Sequence, residues 1–252
     1  MTEPSKSYQA PAVEKAFRLL RQVADADEPP RLSDLAGSLN ISKGTAHGLI
    51  KALEAAGALT RNNETKRLSL GPAVVELALK DQTYLQLGAL AQPVLDELQT
   101  RIGETVFFGL MHPWQALIMA VSEARNPMKI SSRPGDTIPL LAGALGKLYL
   151  SLTDEKKAKR IIREKGLPAY TPASIRKEAL YIKEVERVRE TRVATDRGEY
   201  MAGVNALAVP AHASQPLALW VVGFAGSLNE AKMIEITDQV KATGERLSQD
   251  LD

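Results

Sequence analysis

The chain has 252 residues, with 32 Lys or Arg against 30 Asp or Glu, a formal charge of +2 and no cysteine. That length suits one or two domains with a sizeable core. The missing cysteine excludes disulfides, thiolate zinc sites and cysteine nucleophiles, and the small net charge excludes a polybasic nucleic-acid binder.

Residues 1 to 10 are polar and expected to be mobile. Ala12 to Asp25 reads as an amphipathic helix with Val13, Ala16, Phe17, Leu20 and Val23 (or Ala24) on one face. Asp25 to Pro30 ends it. Leu32 to Ala56, LSDLAGSLNISKGTAHGLIKALEAA, then reads as two helices around a tight turn. The first runs Ser33 to Leu39, with Ser33 as N-cap and Asp34 at the positive helix end. Asn40 and Ile41 make the turn, and Ser42 caps a second helix that Gly57 stops. Leu35, Leu39, Ile41, Ala46, Leu49, Ile50 and Leu53 fall on the inward faces. Lys43, Thr45, His47 and Lys51 are left outward, with small residues that let the backbone approach a phosphate-lined groove. The plain alternative is an ordinary packed helix pair.

The next stretch weighs against that alternative. Leu59 to Arg61 reads as a strand, NNET as a turn, and Lys66 to Leu70 as a returning strand, the wing of a winged helix. Arg61, Lys66 and Arg67 are expected near its tip, reaching phosphate or minor groove, unless the hairpin is merely a solvated one. Residues 1–80 hold eleven Lys or Arg against nine Asp or Glu. DNA contact therefore rests on a few placed residues, doubled by a dimer.

Gly71-Pro72 starts a helix through Val74, Val75, Leu77, Ala78 and Leu79 toward Tyr84 and Leu85. It is too apolar for a solvated linker, and is expected to be partly buried against a partner subunit or packed on its own domain. Leu90, Val94, Leu95 and Leu98 mark another helix, with Pro93 near a bend or first turn and Gly103 at its end. Three strand-like runs follow, ETVFFGLM, QALIMAVS and MKISSR, and Pro134-Gly135 turns the chain into the small-residue helix start of IPLLAGALGKLYLSL. Asp154 to Lys165 and Ser174 to Arg192 read as solvated helices. The strands VNALAVP and LALWVVGF precede a closing helix from Asn229 to Leu251. The pattern is α+β, with helices flanking a mainly antiparallel sheet.

An enzyme finds little material here. His47, His112 and His212 are far apart, and nucleophile-elbow, P-loop and dinucleotide motifs are missing. His112 before Pro113 reads as a hairpin-turn residue. No apolar run reaches the roughly eighteen residues of a membrane span, so a cytoplasmic protein with no membrane partner is expected.

Three separated stretches together resemble the IclR family of transcriptional regulators: ISKGTAHGLIKALEAAGALTRNNETKRLSLGPAVVELA, then GDTIP with AGALGKLYLS, then EYMAGVNALAVPA with a strand ending in GFAG. The resemblance covers nearly the whole chain. It implies a winged helix-turn-helix over residues 10–71, a linker helix over 72–87 and a GAF-like effector-binding domain over 88–252. It further implies a homodimer or tetramer on palindromic double-stranded DNA and a small organic effector, with no cofactor, metal or catalytic residue. Carried over by position, the effector pocket involves Ile138, Ala144, Leu145, Asp196, Val204, Ala206 and Gly223, with Ala225 nearby. The helix start at Ala142-Gly143-Ala144 offers unpaired N–H groups as an anion or carboxylate site. Asp196 and Asn205 are the polar groups able to orient a ligand, although Asp196 also suits a turn with Arg197-Gly198 and Asn205 also suits an outward position. Family members that bind small keto acids often carry Cys or Ser where Ala206, Gly223 and Ala225 stand. A roomier, less polar pocket is therefore expected, suited to an aromatic or larger apolar carboxylic acid. A second departure is Gly48, where the family often has Arg. A ligand-free DNA-binding regulator, using its larger domain only to oligomerise, is the alternative.

Overall fold

The computed structural model describes residues 10–80, 83–113, 115–212 and 214–251, with backbone only at 83–85. The chain divides into two compact units that part between residues 82 and 83. The expectation for the first ten residues falls almost wholly outside the described ones, as do the side chains of Tyr84 and Leu85.

The first unit runs α1 (Pro11–Asp25), α2 (Leu32–Ser38), α3 (Lys43–Ala55), β1 (Leu59–Arg61), β2 (Leu68–Leu70) and α4 (Pro72–Lys80). Leu19, Val23, Leu35, Leu39, Ile50, Leu59 and Leu68 form its core, with Ile41, Leu49 and Leu53 packed against it. The small core covers only the C-terminal half of α1. Leu19 and Val23 are therefore the buried stripe, while Val13 and Phe17, expected inward, are 55% and 62% exposed. At α2 the N-cap is Arg31, not Ser33. The carboxylate of Asp34 does the capping, accepting the Arg31 backbone N–H at 2.8 Å and the Ser33 hydroxyl at 3.1 Å. Those bonds, the backbone one first, hold its carboxyl below the usual range. In α4 only Ala73 and Val74, at its start, are half-buried, and Val75, Leu77, Ala78 and Leu79 stay exposed.

The second unit contains α5 (Thr83–Ile102), β3 (Thr105–Met111), β4 (Gln115–Ser122), β5 (Thr137–Pro139), α6 (Gly143–Ser151), α7 (Glu155–Lys165), α8 (Glu178–Thr191), β6 (Ala194–Arg197), β7 (Val204–Pro210), β8 (Leu217–Phe224) and α9 (Glu230–Leu251). The strands form one sheet in the order β5-β4-β3-β8-β7-β6, every described pair antiparallel. Alternation along the strands sorts two cores. Phe107, Ala218 and Trp220 face a layer made by α6, α7 and α8. Val106, Phe108, Leu219 and Val221 face α5 and α9.

Several elements differ from the sequence reading. MKISSR is not a strand; Thr105 Oγ1 donates to its Ile130 O at 2.9 Å, and the Ser131 hydroxyl bonds the Glu123 carboxylate. The neighbouring lane beside β4 is taken instead by Thr137–Pro139. Ala194–Arg197, not foreseen as a strand, pairs with β7. The two charged helices are amphipathic and not wholly solvated, burying Ala158, Ile161 and Ile162 in α7 and Tyr181, Val185 and Val188 in α8. Leu90 is 60% exposed, and the inward stripe of α5 is Leu87, Ala91, Val94, Leu95 and Leu98. Pro93 lies inside that helix.

The register slips between Phe108 and Gly109, where Met119 is the extra residue of a bulge in β4. Gly109 is needed there. A Cβ on it would sit 2.0 Å from the carbonyl oxygen of Leu117 and 3.1 Å from the Trp220 ring. Gly109→Ala is expected to lower stability by about 1–3 kcal/mol through overpacking, read as a lower thermal midpoint.

Candidate DNA interface and ligand pocket

In α3 the helix-start chemistry is local. Ser42 accepts the Thr45 backbone N–H at 3.1 Å, and the two hydroxyls lie 2.9 Å apart. Ala46 and Ile50 turn into the core, so Lys43, Thr45, His47 and Lys51 are all exposed on the opposite side. Lys43, His47 and Lys51 recur every four residues and form one row along the helix. Gly48 is exposed beside that row, with nothing within 4 Å of the place its Cβ would take. Gly48→Ala is expected to stabilise the protein by about 1 kcal/mol, raising the thermal midpoint.

The hairpin after α3 forms, but its basic residues part company. Arg61 is half-buried and bidentate to Glu54 of α3, with contacts of 2.8 and 3.2 Å. This pairing pushes the Arg61 pKa up and holds the Glu54 carboxyl down. Arg67 donates to Pro29 O at 2.8 Å and pairs with Glu28 at 3.1 Å. The expected cluster of three cations at the tip is thus corrected: Arg61 and Arg67 brace the hairpin against the rest of the unit, and Lys66 alone of the three is exposed at the turn. The reason lies in the turn itself. Asn62 Oδ1 accepts the N–H groups of Glu64 and Thr65, and Lys66 adopts φ +60°, so the returning strand begins at Leu68 and not at Lys66.

In the second unit a cavity of about 230 Å³ lies between the sheet and the start of α6. Ile138 of β5, Ala144 and Leu145 of α6, Asp196 of β6, and Val204 and Ala206 of β7 all line it, as the sequence suggested. Asn205 and Gly223 do not. They alternate with Val204, Ala206 and Val222, which face the cavity, so they point to the other side of the sheet. There Asn205 Nδ2 donates to Leu228 O at 2.9 Å, and a Cβ on Gly223 would meet the Glu104 carboxylate at 2.3 Å. The same parity overturns the idea that Gly223 makes room for a ligand. Size is set by Phe107 and Trp220, stacked with centroids 5.5 Å apart, which form a cavity wall that the sequence reading missed. The strict alternation of LALWVVGF carried that signal, since Trp220 and Val222 share a face.

The expected open anion site at the α6 start is also corrected. Gly143 has φ +51°, and a Cβ there would lie 1.8 Å from Asp196 Oδ2. The carboxylate of Asp196 therefore packs directly on the first residue of α6. Asp196 is 5% exposed and serves both roles weighed for it: it lines the cavity, and it accepts the N–H groups of Glu199 (2.6 Å) and Tyr200 (3.3 Å) in a turn. Beside it Lys147, 1% exposed, donates to Glu199 at 2.5 Å and to Thr195 O at 2.7 Å. Tyr200 and Met201, on the turn that follows Glu199, complete the lining. Neither Lys147 nor Glu199 was singled out in the sequence.

Burial pushes the Asp196 carboxyl above the usual carboxylate range; the Glu199 backbone N–H and the Lys147 charge oppose the shift, and the Glu199 charge adds to it. A group with a raised folded pKa contributes stability that is present at low pH and lost as pH rises through that value. Asp196→Asn is thus expected to flatten part of the fall in thermal stability as pH rises from the ordinary carboxylate range through the raised one. The readout is the difference between the two proteins' melting curves, since Glu104, also raised by burial, falls in both.

Comparison with known proteins agrees with this geometry. Residues 12–63 match the IclR helix-turn-helix domain, and residues 82–249 match the bacterial transcriptional regulator IclR C-terminal domain. The chain is 25% identical to the HTH-type transcriptional repressor AllR of Salmonella typhi, over 98% of this chain and 92% of that protein. It is similar in fold to an IclR transcriptional regulator from Alicyclobacillus acidocaldarius, with a TM-score of 0.77 at 24% identity, covering 97% of this chain and 100% of that one. An IclR homologue from Microbacterium hydrocarbonoxydans, solved in complex with 4-hydroxybenzoate, gives a TM-score of 0.74 at 18% identity, covering 95% of this chain and 98% of that one.

Proposed function

The chain belongs to the IclR family of bacterial transcriptional regulators, carries its helix-turn-helix domain and is not an enzyme; from that premise we propose that it binds a palindromic operator as a homodimer or tetramer, under the control of a small organic effector. The observation that carries the DNA reading is the exposed row on α3, Lys43, His47 and Lys51, set on a helix whose other side is anchored in the core. In this reading Ser42 to Lys51 enters the major groove, and Lys66 reaches a phosphate from the hairpin. Arg61 and Arg67 act by holding the hairpin in place.

Dimerisation is supported by apolar side chains that the first unit leaves uncovered: Val13 and Phe17 on α1, and Val75, Leu77 and Leu79 on α4, each more than half exposed. Two copies would present their α3 helices to half-sites about one helical turn apart, 34–36 Å. The effector reading is supported by the cavity lined by Ile138, Ala144, Leu145, Val204 and Ala206. Its volume exceeds the roughly 150 Å³ of an engineered cavity that takes benzene, so a single ring with small substituents fits. Carboxylic acids of that size belong to the class, subject to the charge condition that Asp196 imposes. Such a ligand would act by binding one arrangement of the DNA-binding pair more tightly than another.

Selection of operator sequences from random DNA, followed by gel-shift titration at several salt concentrations, tests the DNA reading. Lys43→Ala is expected to weaken binding to all sequences and to reduce the salt slope by about one. An unchanged slope would remove Lys43 from the phosphate contacts. Arg61→Ala should instead lower the thermal midpoint, with little change in salt slope.

A further inference from the structure

The cavity has an uneven charge. Among the described residues that line it, Asp196 is the one ionisable acid or base apart from the Tyr200 phenol, and none is a Lys, Arg or His. The one buried cation nearby, Lys147, is already engaged by the Glu199 carboxylate and Thr195 O. A buried Lys–Glu pair is neutral as a unit, and the Asp196 carboxylate is held by the N–H groups of Glu199 and Tyr200 in its own turn and has no cation paired with it directly. The α6 N-terminus, the other feature able to attract an anion, has the Asp196 carboxylate packed on its first residue. The remaining polar groups of the lining are the hydroxyls of Ser131, Ser132, Thr137 and Tyr200. Hydroxyls accept or donate and bring no charge.

We propose that this cavity selects a ligand that presents a hydrogen-bond donor to Asp196 and carries no negative charge at that end: an uncharged or cationic hydroxyl, amide or amine compound built on a single ring. The inference rests on reading the cavity as the effector site. A desolvated carboxylate beside a ligand carboxylate is a like-charge pair, which one of the two relieves by taking a proton. A ligand N–H or O–H, by contrast, gains a charge-assisted bond in an environment that water does not screen. The groups that face Asp196 agree with this. Glu199 and Lys147 offset each other as a pair, and the Tyr181 hydroxyl on α8 is neutral.

The test uses a matched pair of probes, benzamide and benzoate, which share a ring and differ in charge. Binding of each to the full-length protein is measured by calorimetry at about pH 8 and about pH 5.5, for the unaltered protein and for Asp196→Asn. Benzamide is expected to bind at least about tenfold more tightly than benzoate at the higher pH. Benzoate is expected to gain as pH falls, because the raised Asp196 carboxyl takes up a proton earlier than an ordinary one and the repulsion is relieved. In Asp196→Asn the preference should shrink and lose its pH dependence. Benzoate binding as well as benzamide at the higher pH, or a preference indifferent to both pH and Asp196→Asn, would overturn the proposal, as would binding of neither probe. The pH series needs no variant, so misfolding of Asp196→Asn does not blunt the test. Gel shifts on the selected operator run alongside: a probe bound with the stated preference that leaves operator affinity unchanged sinks the effector reading and not the charge selectivity.

Discussion

Lys147 holds an ammonium group almost wholly out of water, on a helix whose nine residues are all buried. Such a charge is tolerable only when paired and hydrogen-bonded, and Glu199 and Thr195 O supply both needs. Removing one partner of a pair like this commonly costs about 3–5 kcal/mol, because the other is left buried and unmatched. The consequence is positional. Glu199 sits in the turn between β6 and β7, so its bond to Lys147 ties that turn to α6. The N–H groups of Glu199 and Tyr200 in turn fix the Asp196 carboxylate against Gly143. The Thr171 and Ser174 hydroxyls clasp the same turn from outside, donating to Glu199 O at 3.2 and 2.6 Å. Cavity wall, cavity charge and the α6 start are therefore one connected assembly.

A parallel arrangement governs the first unit. The bidentate Arg61–Glu54 contact joins the hairpin to the helix that faces outward, and Arg67 joins it to the chain before α2. Guanidinium groups suit this task because their planar fork fixes direction as well as distance. The hairpin is held at both strands, and Lys66 is the one of its three cations that stays exposed. Cations that look alike in the sequence thus divide into two that brace the hairpin and one left at the surface.

Much of the architecture was legible in local patterns. The α2–turn–α3 stretch and its Ser42 cap, the hairpin, the alternating strands and the closing helix all depend on interactions within a few residues, which periodicity and capping rules capture. The misreadings share a physical cause. Phe17 and Leu90 have helical spacing suited to a core, yet how far a neighbour covers a helix depends on elements distant in the chain. MKISSR has strand-like composition, but the lane beside β4 went to Thr137–Pro139, and only the assembled sheet decides which segment pairs. Gly223 and Asn205 were misplaced because facing is a matter of parity, and a shift of one residue sends a side chain through to the opposite layer.

The sequence by itself determined the α+β character, the family and the row of outward residues on α3, because each follows from short-range pattern or from several motifs in a fixed order. It also named six of the residues around the cavity. The tertiary structure alone decided the charge logic: that Arg61 and Arg67 are internal braces, that Phe107 and Trp220 bound the cavity, and that Asp196 occupies the start of α6 while Lys147 is matched by Glu199 fifty-two residues away. Electrostatic roles depend on which groups meet and how much water remains between them, and neither quantity exists until the chain has folded.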